Sequence, residues 1–465
     1  MADPPDPPPP DSPPPDLPPP ATPPDSPPPD LPPPATPPDS PPPPGGDRSP
    51  SAPPPPDDLD GEFDRVTARR RWPVVVVGLA VVAALVASSL LARSAGSGDS
   101  GPGDGGGATA PTTTGEPATR AEVEAAVAAI STFVEQERGL DFVEPVEVDL
   151  AGEGEFQDRL LADFDEDVDE LRATGAFLEG LGMVEPGTDV VEAMRSLLGG
   201  FVVGFYDPET AELVVRGAEL TPYVKTTIAH ELVHALDDQH HDLDRPEYDD
   251  ADDEVGFGFS AVAEGNARRI ESAYRASLDE DERAQADAQE RAVGGDVDLG
   301  AVPLVLLDLI GAPYLLGEPF VERVVDDGGN EALAEAFADP PRTTEQVLDP
   351  DRYLAGEEAV DVPAPDVAGE VVDEGVVGQL VLMLMLAGEL GMDDARAAAT
   401  GWGGDRGVAW RDGDRACATV SLVGDDGAET RELRAAVDRW AGEQDDARVV
   451  AGRGDGPFTF ESCSG

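Results

Sequence analysis

The sequence predicts an α+β protein in which helices predominate and a small β-sheet accompanies them, behind a disordered proline-rich tail and one transmembrane helix. Three observations carry this expectation. Proline crowds the first sixty residues, one long uncharged run follows, and beyond residue 119 helical and alternating apolar patterns intermix.

Residues 1–64 form the tail. Of 49 prolines in the chain, 31 lie before residue 61, and the segment DSPPPDLPPPATPP begins at Asp11, repeats at Asp25 and starts again at Asp39, a 14-residue period. Such a tract cannot bury a core; it favours extended polyproline II and serves as a solvated spacer or as a ligand for a proline-binding cytoplasmic partner. Residues 65–71 are basic, with Arg65, Arg69, Arg70 and Arg71. Residues 72–92, Trp72 to Ala92, then carry no charge, and as a helix they suffice to cross roughly 30 Å of hydrocarbon. Only Arg93 follows closely, so the positive-inside rule keeps the tail in the cytoplasm. The chain is thus expected to be a single-pass protein of the cytoplasmic membrane with everything after the span outside. A cleaved signal peptide is the competing reading, but about 70 preceding residues are far too many for its basic region. Residues 93–118 are a Gly/Ser/Thr tether, and residues 119–465 are long enough to hold a substantial extracytoplasmic core.

Charge excludes one class of partner. The net charge is −65, and Lys225 is the single lysine. A surface this acidic repels phosphate backbones, so no nucleic acid is expected to bind. The charge reads as a solvated acidic coat that favours solubility in salty surroundings; the alternative, capture of basic substrates or of calcium, has no clear motif behind it. The only cysteines, Cys417 and Cys463, read as one disulfide in an oxidising compartment, or as two buried thiols.

The most informative stretch is His230-Glu231-Leu232-Val233-His234. All four histidines of the chain fall between residues 230 and 241. Thr221 is a plausible N-cap and Pro222 suits the first helical position, while Val224, Ile228, Leu232, Val233 and Leu236 recur at helical spacing. Residues four apart on a helix share a face, so both imidazoles can reach one metal ion. Zinc suits such ligands, and a catalytic site needs three protein ligands with a fourth position left for water, beside which Glu231 stands as base. Asp237 and Asp238 are expected to close the helix, as solvated loop residues or as partners of a ligand histidine. Upstream, Phe201–Tyr206 and Glu212–Val215 flank Asp207-Pro208-Glu209-Thr210 and predict a hairpin, structural or lying along the cleft with an edge free for an extended peptide.

The third ligand has two answers. His240 lies six residues beyond His234, a spacing that works only if the chain turns sharply, and Asp237 stands where a glycine would allow that turn. Glu264, at the start of a helix expected to run to about residue 290, gives a His, His, Glu set and is preferred; Glu271, two turns on, is its rival.

The blocks GFYDPETAELVVRG, AHELVHALDDQHHDL, AVAEGNA, PYLLGEPFVERV, ADPPRTTEQVLDPDRYLAGEE and GWGGDR together resemble a poorly characterised family of gluzincin-type HExxH zinc metallopeptidase domains from bacteria and archaea, over roughly residues 120–440. The resemblance implies a zincin-like fold with Zn2+ on His230, His234 and Glu264, and Glu231 as catalytic base. Relatives usually have aspartate where Asn266 stands and often histidine where Asp349 stands.

The expected activity is peptide-bond hydrolysis outside the membrane, with Glu231 activating a zinc-bound water and passing its proton to the leaving amine. Tyr353 and Arg342 are the candidate donors to the tetrahedral oxyanion. The alternative is a non-catalytic, surface-displayed metal-binding protein whose tail recruits a partner. Further helices are expected near 313–327 and 374–391, the latter apolar enough for a second span but short and interrupted by Gly378, Gln379 and Gly388, hence a core helix. Strands are expected around 416–423 and 458–461.

Overall fold

Thr119 opens the first described helix with a capping box: its side chain accepts from the Glu122 amide while Glu122 reaches back to the Thr119 amide. The computed structural model describes residues 117–465 apart from 163, 166, 250, 252, 296, 298 and 453. The predicted tail, basic segment and 72–92 span, and nearly all of the tether, lie outside the described residues.

Helix α1 (Arg120–Arg138) ends at Gly139, whose φ of 72° only glycine adopts cheaply. It is followed by β1 (Val148–Ala151), α2 (Glu153–Leu160), α3 (Val168–Gly180) and α4 (Val190–Phe201). The predicted hairpin is present as β2 (Gly204–Asp207) and β3 (Glu212–Arg216), and its turn is held by Asp207, whose carboxylate accepts from the Glu209 and Thr210 amides. Strand β1 adds in parallel to β3, giving the order β1-β3-β2 with β2 at an edge.

Helix α5 (Pro222–His241) carries the histidine motif, and its start is as expected: the Thr221 hydroxyl accepts from the Val224 amide and Pro222 sits in the first turn. Asp237 and Asp238 do not close it. The helix continues to His241 because both aspartates are satisfied by tertiary partners, described below.

After α6 (Pro246–Asp249), the helix expected from Glu264 to about 290 is two helices, α7 (Val255–Ser277) and α8 (Glu280–Glu290). The break is chemical: Asp279 caps α8 in a second capping box with Glu282, and Leu278 is extended. Helix α9 (Leu304–Ala338) contains the predicted 313–327 helix and kinks at Gly329. Among the described residues it is long and apolar enough to cross a membrane by length and composition, yet 56 % of its apolar window is buried inside the protein.

Short helices α10 (Thr344–Leu348) and α11 (Pro350–Ala355) lead to β4 (Glu370–Gly375) and α12 (Gly378–Leu390). Helix α12 is buried from Gly378 to Leu386, as a core helix should be. Asp405 anchors its start by accepting from the Val377 and Gly378 amides and from the Trp402 indole. The remaining elements are α13 (Met392–Ala399), β5 (Trp402–Asp412), β6 (Arg415–Gly424), α14 (Gly427–Ala441), β7 (Ala447–Ala451) and β8 (Phe458–Cys463). The strands form an antiparallel sheet of order β4-β5-β6-β8-β7. Sequence pattern indicates only β6 and β8, and this second sheet is the larger. Cys417 faces Cys463 across β6 and β8, and the two are disulfide-bonded.

Three apolar clusters position the site among the described residues, one of them packing Phe259 and Val262 of α7 against Phe320 and Val321 of α9. Another runs from Phe156 through Leu197, Leu306 and Leu384 to Trp440 and Phe460, so the five-stranded sheet shares its interior with α4, α9 and α12. The third packs α1, the hairpin, α5 and α7 through Ile130, Val134, Leu213, Val215, Ile228, Leu232, Leu236 and Ile270. Helix α5 is therefore covered on every side that bears the motif, not only half-buried as its amphipathic pattern suggests.

Candidate metal centre

The i, i+4 spacing places His230 and His234 on one face of α5, and α7 crosses that face with Glu264. His230 Nε2 is 3.1 Å from His234 Nε2 and 3.1 Å from Glu264 Oε2, and His234 Nε2 is 3.4 Å from that same oxygen. Three ligand bonds of about 2.0–2.1 Å at tetrahedral angles require ligand atoms about 3.3 Å apart. The donor set therefore fits one face of a zinc tetrahedron in both chemistry and size. All three side chains are buried, and so is Glu231.

Glu231 lies against the start of β2. A Cβ on Gly204 would come within 2.6 Å of Thr227 Cγ2 and 3.4 Å of Glu231 Cγ, so only glycine lets the strand pass this close to the carboxylate. Both Glu231 oxygens are buried without a hydrogen bond of normal geometry. Burial pushes this carboxyl up from the ordinary glutamate range; the two imidazoles and the nearby Tyr206 amide oppose the shift without cancelling it. For Glu264 the balance is reversed: burial again raises the carboxyl, but the two imidazoles overcome it and hold it down. Burial alone would push His230 down, and its bonds to Glu264 and Glu271 carry it up instead.

The partners of the ligands come from further along the helices. Glu271, weighed as a rival ligand, faces the other ring nitrogen of His230 at 3.1 Å and is itself held by Arg268 at 2.7 Å. Seven residues make two turns, which puts Glu271 on the same face of α7 as Glu264 but one layer deeper. It holds the Nδ1 side of the His230 ring and lies outside the group of converging donor atoms formed by His230, His234 and Glu264. Glu264 receives a second bond that sequence reasoning missed: the Tyr314 hydroxyl donates to Oε1 at 2.7 Å, and its ring stacks over His230 with centroids 6.1 Å apart. Tyr314 lies within the PYLLGEPFVERV block, and only the crossing of α7 and α9 brings it here. That crossing is unusually close. A Cβ on Gly265 would sit 2.2 Å from the Gly317 carbonyl oxygen, and one on Gly317 would sit 2.2 Å from that of Ala261.

Other predicted residues fall elsewhere. His240 is exposed, and its ring nitrogen donates to the Asp141 carbonyl at 2.9 Å; the uninterrupted helix turns it away from the pair. Asp237 is fully buried, paired with Arg138 at 2.7 Å and accepting from Asn266 at 2.6 Å, while Asp238 accepts from the Tyr206 hydroxyl and the Leu243 amide. Neither aspartate is a solvated loop residue or a partner of a ligand imidazole. Asn266 thus bridges α7 to α5 without touching the ligands, and Asp349 is an exposed residue at the junction of α10 and α11. Arg342 pairs with Asp253 on the surface, and the Tyr353 hydroxyl donates to the Asp339 carbonyl while its ring packs on Phe320. Their polar groups are engaged with these partners and are not brought to the histidine pair.

A domain family of unknown function (DUF8575) matches residues 366–462, which hold the five-stranded sheet and none of the metal-site residues. No curated protein matches the chain. One similar solved structure, from Chloroflexus aurantiacus, is described as a presumed hydrolase with a novel fold; it shares 17% identity, covers 60% of this chain and 98% of its own, and has a TM-score of 0.36.

Proposed function

We propose that this chain is a membrane-anchored zinc peptidase of gluzincin type that hydrolyses peptide bonds outside the cytoplasmic membrane. One observation carries the reading: three neutral or anionic donors converge at zinc spacing, and beside them stands a buried carboxylate, Glu231, whose oxygens make no hydrogen bond of normal geometry. A purely structural zinc site has no use for that carboxylate. When bound, the ion supplies Lewis-acid polarisation of a carbonyl and lowers the pKa of a water molecule.

The side chains do the rest. Glu231, with its pKa raised by burial, takes the proton of the attacking water at Oε and returns it to the leaving amine nitrogen. His230 is kept in one orientation by Glu271, so its Nε2 stays turned toward His234 Nε2 and Glu264 Oε2, where these three residues would hold the ion. Strand β2 passes next to Glu231 and lies at the sheet edge, where an extended peptide would pair.

A second reading, a non-catalytic metal-binding protein displayed at the surface, is favoured by the burial of all four site side chains. Two measurements on the full chain separate the readings. Metal analysis is expected to find one zinc per chain, lost in His230→Ala and Glu264→Ala and kept in His240→Ala. Cleavage of a peptide library is expected to stop on chelation and return with zinc; zinc without any cleavage leaves the second reading standing.

A further inference from the structure

Glu264 has two carboxylate oxygens, and the structure gives them different neighbours. Oε2 faces both imidazole nitrogens, at 3.1 and 3.4 Å, while Oε1 accepts from the Tyr314 hydroxyl at 2.7 Å. Tyr314 is itself fixed: it is buried, its ring stacks on His230, and it stands on α9 three residues before Gly317, where the backbones of α7 and α9 meet. A glutamate free at both oxygens can close on an ion with either one or with both, and two-oxygen binding consumes the position that an attacking water needs.

Building on the zinc reading, we propose that Tyr314 is a positioning residue of the metal centre. Its hydroxyl occupies Oε1, commits Oε2 to the ion and keeps Glu264 a one-oxygen ligand. The close crossing at Gly265 and Gly317 exists in part to bring that hydroxyl within reach, since any side chain at either position would push α9 away from Glu264.

The test uses the full chain and Tyr314→Phe, which keeps the stacked ring and removes only the hydroxyl. Chelator-treated protein is titrated with Zn2+ against a competing chelator and, separately, with Co2+, whose visible absorption is stronger with four ligands than with five. Zinc affinity is expected to fall about tenfold to a hundredfold in Tyr314→Phe, the range seen when partners of metal ligands are removed. The cobalt bands are expected to weaken as Glu264 closes with both oxygens. Metal-free Tyr314→Phe is expected to melt cooperatively but a few degrees below the parent, because a buried hydrogen bond to a carboxylate is lost. Equal affinity and identical cobalt spectra in the two proteins would overturn the inference while leaving the zinc reading intact. A metal-free Tyr314→Phe protein that no longer melts cooperatively would make the contact structural and overturn it as well. A parent protein that takes up neither metal removes the zinc reading itself.

Discussion

Replacing Gly265 by alanine should separate α7 from α9 and take the metal centre apart. The added Cβ would lie 2.2 Å from the Gly317 carbonyl oxygen, 2.3 Å from its carbonyl carbon and 2.8 Å from its Cα. All three obstacles are backbone, so no side chain can rotate aside. Reaching ordinary contact near 3.4 Å needs a shift of roughly 1.2 Å, and inserting a methyl group into a packed interior commonly costs about 1–3 kcal/mol. With three backbone clashes the upper end applies, about 3 kcal/mol, which for a folded domain of this size is a fall in melting temperature of about 4 °C. Glu264 is the neighbouring residue, so the same shift draws Oε2 away from imidazoles it meets at 3.1 and 3.4 Å.

A control of opposite sign is available in Gly388, which is helical in α12 with open space around its Cβ. Gly388→Ala should raise stability by about 0.5–1 kcal/mol, because alanine loses less backbone entropy. The assay is thermal unfolding of the metal-free proteins, followed by zinc analysis. A Gly265→Ala protein that melts within about 2 °C of the parent and keeps its zinc would refute the reasoning.

Three further outcomes follow from the charges. Burial and the Asp425 carboxylate push Glu345 up to about 8, with Arg352 only partly opposing. Its folded pKa thus exceeds its unfolded one; the native state holds the proton more tightly between about pH 4.5 and 8, and stability falls as pH rises through that window. Glu345→Gln should therefore gain on the parent as pH rises, by about 1–2 kcal/mol at pH 8 relative to pH 5 after allowing for screening, and urea melts showing the same difference at both pH values would count against this. Asn266→Asp should cost about 1–3 kcal/mol, because the amide that donates to Asp237 at 2.6 Å becomes a second acceptor; zinc content should not change, and zinc loss at unaltered stability would give Asn266 a metal-holding role that its contacts lack. Finally, a net charge of −65 repels itself, so the melting temperature should climb between 0.05 M and 1 M KCl as the Debye length contracts from about 14 to 3 Å, and a flat or falling profile would show that the acidic coat is not limiting.

Much of the motif helix was legible because its signals are local. Thr221, Pro222 and the i, i+4 histidines each report on neighbours within one or two turns, and the structure keeps all three readings. Glu264 was reachable by spacing and resemblance, and it joins the pair. The failures share a cause in long-range partners. Asp237 looked like a solvated helix end because its partner, Arg138, is 99 residues away. Tyr314 was passed over because it meets Glu264 across 50 residues, through a helix crossing that depends on two glycines lacking side chains. Strands β4 and β5 were hidden for a similar reason: Glu370–Gly375 is acidic and only its last residue is buried, while β5 carries two glycines after Trp402 and is buried on both faces over most of its length, so neither alternates cleanly.

The central claim is that Glu231 is a catalytic base beside a zinc held by His230, His234 and Glu264. The most direct measurement is zinc content together with peptide hydrolysis for the full chain and Glu231→Gln, which preserves shape and removes the base. Equal zinc is expected in both proteins, with a fall in hydrolysis of about 10²–10⁴-fold in the variant. Equal zinc with undiminished hydrolysis would contradict it.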